Sequence, residues 1–192
     1  MSGAPEPKGY GWCPGALRPM ISGDGLVVRI RAPLGKLQVN QARGVARLSQ
    51  DFGNGLLDIS ARANLQMRGI REDAHEQLIA GLRDLGLIDP DAQAEARRNV
   101  LLAPFWQEGG DTHAIATELS AALTAATDLS LPGKFGFAVD CGEAPVLQDI
   151  AADIRIERAE GTLILRADGA EAGKPVTRES AVAEALALAR WF

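Results

Sequence analysis

The chain has 192 residues, of which 46% are hydrophobic and 23% are charged, so it can form one domain, or two small ones, with a substantial core. It contains no apolar run of about 18 residues that could span a membrane, and no secretory signal is visible at its N-terminus. Two cysteines cannot form a disulfide framework or supply four thiolates to a metal cluster. We therefore expect a soluble, reduced, cytoplasmic protein.

The net charge is −5, but its distribution along the chain is uneven. Residues 1–70 carry nine Lys and Arg against four Asp and Glu, whereas residues 71–192 carry eleven against twenty-one. Most of the basic residues are arginines, which either reflects a GC-rich genome or indicates a positive face for an anionic partner. The planar guanidinium group suits carboxylate or phosphate, because it binds either of them in bidentate fashion.

The first 86 residues predict an irregular lead-in followed by a small α+β unit. Residues 1–19 are rich in proline and glycine, as is typical of irregular chain. Alternating and helical spacings then predict a strand at 26–31, a helix at 40–52, strands at 56–59 and 65–68, and a helix at 73–85. This order is half of a ferredoxin-like unit, which we place at residues 20–86.

The rest of the chain predicts a connection and then an α/β segment. Residues 87–111 form the connection, with a short helix at 92–97 and a strand at 99–102. Residues 112–192 follow with a helix at 112–127, a strand at 134–141 and a hairpin of strands at 153–158 and 162–167. A last helix, capped by Thr177, runs to residue 191. The fold class is α+β, with a division near residue 110.

Several classes of site are disfavoured by the residues present. His75 and His113 lack a second ligand at metal-binding spacing, so no metal site is predicted. No G-x-S-x-G motif occurs, and a cysteine paired with a distant histidine is too common to indicate a nucleophile. The aromatic residues lie mostly outside the basic segment, which disfavours nucleic-acid binding.

Cationic and amide side chains on strands and strand ends form the remaining candidate site. Residues 29 and 31 share the polar face of one predicted strand, and residues 64, 66 and 68 share that of another. Such charges either prevent sheet pairing at an edge or bind a ligand with many carboxylates. The candidate residues are Arg29, Arg31, Arg62, Asn64, Gln66, Arg68, Arg98 and Lys134. Arg155, on the predicted hairpin, is expected not to affect binding.

Four motifs in order resemble those of precorrin-3B synthases, which belong to the nitrite/sulfite reductase family. They lie at residues 11–31 (beginning GWCPG and ending GDGLVVRIR), 52–69 (FGNGLLDISARANLQMRG), 98–100 (RNV) and 131–140 (LPGKFGFAVD). The resemblance implies a nitrite/sulfite reductase ferredoxin-like half-domain followed by part of a tetrapyrrole-binding α/β domain. It also implies that Arg29, Arg62, Arg98 and Lys134 contact tetrapyrrole carboxylates, with Gln66 at a matching position of the pocket.

The chain departs from this family at several positions. Sirohaem reductases carry a second lysine where this chain has Gly136, and commonly another polar residue in place of Arg68. The loss of that lysine argues against reduction of sulfite or nitrite and favours a tetrapyrrole substrate. The family binds a [4Fe–4S] cluster through four cysteines in a second half, and those ligands are absent here. The chain is therefore expected to be a fragment, or one subunit of a split enzyme.

The function implied by the resemblance is that of the N-terminal half of a precorrin-3B synthase. Such an enzyme hydroxylates precorrin-3A with oxygen and forms a lactone in aerobic cobalamin biosynthesis, using electrons from a donor through the cluster. The chain alone would be inactive, and no general acid or base is identified. Two alternatives remain open, namely half of a sirohaem-dependent sulfite or nitrite reductase, and a non-catalytic module for an anionic ligand or partner protein. No nucleic-acid or membrane partner is expected.

Overall fold

The computed structural model describes residues 14–192, which form two β-sheets with helices packed against them. The strands of the first sheet are β1 (Met20–Ser22), β2 (Gly25–Ile30), β3 (Leu57–Ile59) and β4 (Leu65–Ile70). Those of the second are β5 (Val100–Leu102), β6 (Phe137–Asp140), β7 (Ile154–Ala159), β8 (Thr162–Ala167) and β9 (Lys174–Pro175). The helices are α1 (Val39–Phe52), α2 (His75–Asp84), α3 (Ala92–Arg97), α4 (Asp111–Ala125) and α5 (Ala181–Trp191).

The first sheet is antiparallel in the order β1-β2-β4-β3, with one face covered by helices α1 and α2. Val28, Ile30 and Met67 point into this core because side chains alternate between the two faces of a strand. Val45 of α1 and Leu78 of α2 pack against them from the helices. The polar strand residues are therefore on the opposite face.

The second sheet has the order β5-β6-β7-β8-β9, in which β5, β6 and β7 are parallel and β7, β8 and β9 are antiparallel. Its main core joins Phe137 and Ile156 of the strands to Leu119 of α4 and Ala185 of α5. None of the helices in the described part of the chain is both long enough and apolar enough to cross a membrane.

The elements confirm the α+β class, with differences at several boundaries. Strand β5 pairs in parallel with β6, so the segment expected to be a connection contributes a strand to the second sheet. Helix α5 begins at Ala181, because Thr177 and Ser180 first close a turn in which each hydroxyl oxygen accepts the other residue's backbone N–H. The short strands β1 and β9 were not predicted, and residues 1–13 of the predicted lead-in lie outside the described residues.

Candidate functional site

The polar face of the first sheet is organised by the pairing of β2, β4 and β3. Arg29 is paired with Gln66, and Gln66 is paired with Asp58, so these three side chains form a row opposite the helix-covered core. Arg29 donates from Nε and Nη2 to Gln66 Oε1, at 3.2 and 2.6 Å. The amide thus orients the guanidinium group without neutralising its charge.

Arg29 lines an open cleft of about 490 Å³ together with Arg62 and Lys134. We call this space the outer cleft; its other polar lining residues are Ser60 and Asp149. Within residues 14–192, neither Arg62 nor Lys134 makes a hydrogen bond or ion pair. Three cations therefore face one exposed carboxylate, and the cleft carries excess positive charge.

Arg62 also lines a second, smaller space of about 140 Å³, which we call the inner cavity. Its other cationic lining residues are Arg31, Arg98 and Lys36, and Asn64 adds an amide. No Asp or Glu lines it in the part of the chain that the structure describes. Because Arg62 lies in the turn between β3 and β4, it lines both spaces at once.

Two side chains of the inner cavity are buried with unsatisfied donors. Arg31 is 6% exposed and Asn64 is 7% exposed. Neither Nε nor Nη1 of Arg31, nor Nδ2 of Asn64, has a hydrogen-bond acceptor. Each buried donor without an acceptor costs about 1–3 kcal/mol. An acceptor placed in the cavity would recover that cost.

Glu95 is the anionic neighbour of Arg31, but it is already hydrogen-bonded elsewhere. Its Oε1 accepts from the backbone N–H of Ala16 at 2.5 Å, and its Oε2 accepts from that of Leu17 at 3.2 Å. Arg31 Nη1 lies 3.6 Å from Oε1, which is too far for a hydrogen bond. Burial lowers the pKa of Arg31 and raises that of Glu95, since both charges have lost water.

Arg98 reaches the inner cavity with its guanidinium group largely occupied. Its Nε and Nη2 donate to the two carboxylate oxygens of Asp89 at 2.6 and 2.8 Å, and Nη2 also donates to the Arg31 carbonyl at 3.0 Å. Both partners of this ion pair are mostly buried. Arg98 is therefore neutralised by Asp89, and it offers the cavity fewer free donors than the sequence suggested.

Arg68 and Gln66 are the predicted site residues that line neither space, and within residues 14–192 Arg68 also forms no hydrogen bond or ion pair with a residue that does. Arg68 Nε donates to Asp58, and this hydrogen bond raises the pKa of Arg68. The contact is diagonal across β3 and β4, next to the Asp58–Gln66 pair. The structure thus gathers the other predicted residues around two adjoining spaces, with Gln66 acting through Arg29, and leaves Arg68 outside.

Lys36 was not predicted as a site residue, although it lines the inner cavity. Its Nζ lies 3.3 Å from the centroid of the Trp106 ring, where the π-electrons attract a cation. Trp106 Nε1 in turn donates to the carbonyl of Leu34 at 3.2 Å. This contact joins positions far apart in sequence, so no local pattern could have revealed it.

Gly136, two residues after Lys134, is closely packed. A Cβ atom at this position would lie 2.9 Å from Asn99 Nδ2, which donates to the Phe135 carbonyl at 3.0 Å. A side chain here would therefore displace Asn99. Lys134 has no second cation at position 136, where sirohaem reductases carry a lysine.

A four-cysteine cluster does not fit the residues of this chain. Cys141 is the free cysteine of the described region, and burial raises the pKa of its thiol to about 12, which disfavours the thiolate that a metal requires. No group of three or more His, Cys, Asp or Glu in residues 14–192 is placed to hold a metal. We derive no step through such a cluster.

A larger cavity of about 890 Å³ lies elsewhere, beside the start of α4. Its charged lining residues are Asp111, Glu143 and Arg158. Arg158 Nη2 already donates to Asp111 at 2.6 Å, so the cation is neutralised and the lining has an acidic excess. This cavity does not suit a polyanion.

The chain is similar in sequence to known proteins. Residues 18–85 match the nitrite/sulfite reductase ferredoxin-like half domain. Over 149 residues the chain is 34% identical to a precorrin-3B synthase from Sinorhizobium sp, covering 77% of this chain and 32% of the relative. Over 135 residues it is 30% identical to a ferredoxin–nitrite reductase from Synechococcus elongatus, covering 65% and 26%.

The fold has a counterpart among solved structures. The structure of Mycobacterium tuberculosis NirA protein matches with a TM-score of 0.62 and 22% identity, covering 82% of this chain and 32% of that one. The chain spans about a third or less of the length of these relatives. Residues 18–85 are therefore a nitrite/sulfite reductase ferredoxin-like half-domain, within a chain that is similar over most of its length to precorrin-3B synthase.

Proposed function

We propose that this chain binds a tetrapyrrole through its peripheral carboxylates, as part of an oxidoreductase of the nitrite/sulfite reductase type that acts on precorrin-3A. The observation that carries the proposal is the convergence of Arg29, Arg62 and Lys134 on one cleft of about 490 Å³. Two of these cations have no partner within residues 14–192.

A ligand with several carboxylates suits this arrangement for electrostatic reasons. Each carboxylate that enters would relieve the repulsion between neighbouring cations and accept charge-assisted hydrogen bonds. Arg29 is already oriented by Gln66, so its contact with a carboxylate costs little additional side-chain entropy. Lys134 is exposed and acts as a mobile point charge.

The similarity to precorrin-3B synthase supports one particular reaction, the oxygen-dependent hydroxylation of precorrin-3A with formation of a lactone. In this proposal the described residues bind and orient the substrate, and no proton transfer is assigned to them. A [4Fe–4S] cluster would have to be held outside this chain, by a further segment or a separate subunit, and would supply electron transfer from a donor. The chain by itself is then a binding half without activity.

A sirohaem-dependent sulfite or nitrite reductase is the second candidate, supported by the similarity to ferredoxin–nitrite reductase. Its chemistry would use a small anion held between cations beside the tetrapyrrole. A Cβ at residue 136 would lie 2.9 Å from Asn99 Nδ2, so a second cation next to Lys134 would require Asn99 to move. This packing favours the tetrapyrrole as substrate rather than as cofactor.

Titration with uroporphyrin and with its fully esterified methyl ester tests the proposed ligand class. The two compounds share the ring, but the ester has no carboxylates. We expect the free acid to bind more tightly and its affinity to fall as salt is added, because salt screens exposed charges. Equal affinity for acid and ester would show that the cations do not determine binding.

A further inference from the structure

We propose that the inner cavity is a separate subsite for one short carboxylate side chain, bound by Arg31 and Asn64. The proposal rests on the proposed function in one respect, since it assigns that side chain to the tetrapyrrole held in the outer cleft. The carboxylate pocket itself is inferred from the inner cavity alone.

The unsatisfied side-chain atoms of the buried residues that line the inner cavity are all donors. Nε and Nη1 of Arg31 and Nδ2 of Asn64 are buried N–H groups without acceptors. The two side chains lie next to each other across the sheet, because Ile30 and Leu65, the residues beside them, are paired between β2 and β4. A group with two acceptor oxygens could satisfy both side chains at once, and a carboxylate has this form.

The charge around the cavity favours an anion over water. Arg31, Arg62, Arg98 and Lys36 line it, and no carboxylate does so among the described residues. The two nearby acids are engaged, Asp89 by Arg98 and Glu95 by the backbone of residues 16 and 17. Glu95 lies 3.6 Å from Arg31 and Asp89 neutralises Arg98, so the charge without a counter-ion among the described residues is that of Arg62 and Lys36. Water could accept the hydrogen bonds but would leave this charge uncompensated.

The size and walls of the cavity fit a short acid chain. Its volume of about 140 Å³ exceeds the ~30 Å³ share of one liquid water, but it is too small for a tetrapyrrole ring. Val100 and Leu102 supply apolar wall beside the cations, as the methylene groups of an acetate or propionate chain would require. Arg62 joins this cavity to the outer cleft.

Propionate and propionamide are the probes that test the subsite without the ring. The affinity of each would be measured by NMR titration of the full chain and of Asn64→Asp, which places a carboxylate of the protein in the cavity. We expect propionate to bind the wild type, propionamide not to bind, and Asn64→Asp to weaken propionate at least tenfold. The melting temperature of Asn64→Asp should be equal or higher, because the new carboxylate places a negative charge opposite the buried Arg31.

Three further variants separate the possible outcomes. Asn64→Leu removes the amide donor without adding charge and should also weaken propionate binding, whereas Arg47→Met, on an exposed part of α1, should not. Lys134→Met should weaken uroporphyrin while leaving propionate unchanged. Propionate binding that survives both Asn64 variants would overturn the subsite. If propionate behaves as expected but uroporphyrin does not bind, the proposed function fails and the subsite stands.

Discussion

Replacing Arg62 by methionine should weaken tetrapyrrole binding more clearly than any other single change to a partnerless cation. Arg62 lines both the outer cleft and the inner cavity, and no described residue forms a hydrogen bond or ion pair with it. Methionine keeps much of the aliphatic stem and removes the charge. The substitution therefore tests binding with little disturbance of packing.

The expected loss of affinity is that of one hydrogen bond between Arg62 and a ligand carboxylate. A hydrogen bond to a charged group contributes about 1.5–3 kcal/mol, so the loss of one carboxylate contact should weaken binding roughly 10- to 150-fold at about 1.4 kcal/mol per tenfold change. The free energy of unfolding should change by less than about 0.5 kcal/mol, as is usual for surface substitutions that break no contact.

The matched control for Arg62→Met is Arg47→Met, which removes the same charge from an exposed position of α1. Uroporphyrin would be titrated into both variants at fixed ionic strength, with thermal melts to monitor folding. Equal losses in the two variants would show only general electrostatic attraction. An unchanged affinity in Arg62→Met would refute the assignment of Arg62 to the site.

Three other substitutions give distinct results. Arg29→Lys removes the fork that Gln66 orients and should weaken uroporphyrin by about 1–3 kcal/mol in the same titration, without lowering the melting temperature. Gly136→Ala places a Cβ against Asn99 and should destabilise the fold by about 1–3 kcal/mol; an unchanged urea midpoint would contradict that packing. Burial raises the pKa of Glu95 from its ordinary value of 4.5, so at pH values between the two the folded chain keeps a proton that the unfolded chain has lost. The free energy of unfolding of the wild type should therefore fall as the pH rises from 4.5 to the raised pKa. Urea unfolding measured across this pH range should show no such decrease for Glu95→Gln.

The polar face of the first sheet could be predicted from sequence because it depends on a local rule. Side chains alternate along a strand, so the spacing of Arg29 and Arg31, and of Asn64 and Gln66, already placed each pair on one face. The contact between Arg29 and Gln66 then requires only that their strands be neighbours, which the half-ferredoxin order supplies.

The partners of other arginines could not be predicted, since they depend on register and on contacts between distant segments. Arg68 pairs with Asp58 because of the register of β3 against β4. Arg98 is held by Asp89. Arg155, which is expected not to affect binding, is 3% exposed and donates to Asp168 and to the Leu147 carbonyl. It is therefore a structural residue and a poor control position.

In our proposal a polycarboxylate tetrapyrrole occupies the outer cleft and reaches the inner cavity. NMR mapping of backbone amide shifts on titration with uroporphyrin would show where the ligand binds. We expect the largest shifts at residues 60–64 and at Lys134, which line the two spaces. Shifts concentrated instead at Asp111, Thr112 and Glu143, which line the cavity of about 890 Å³, would contradict the proposal.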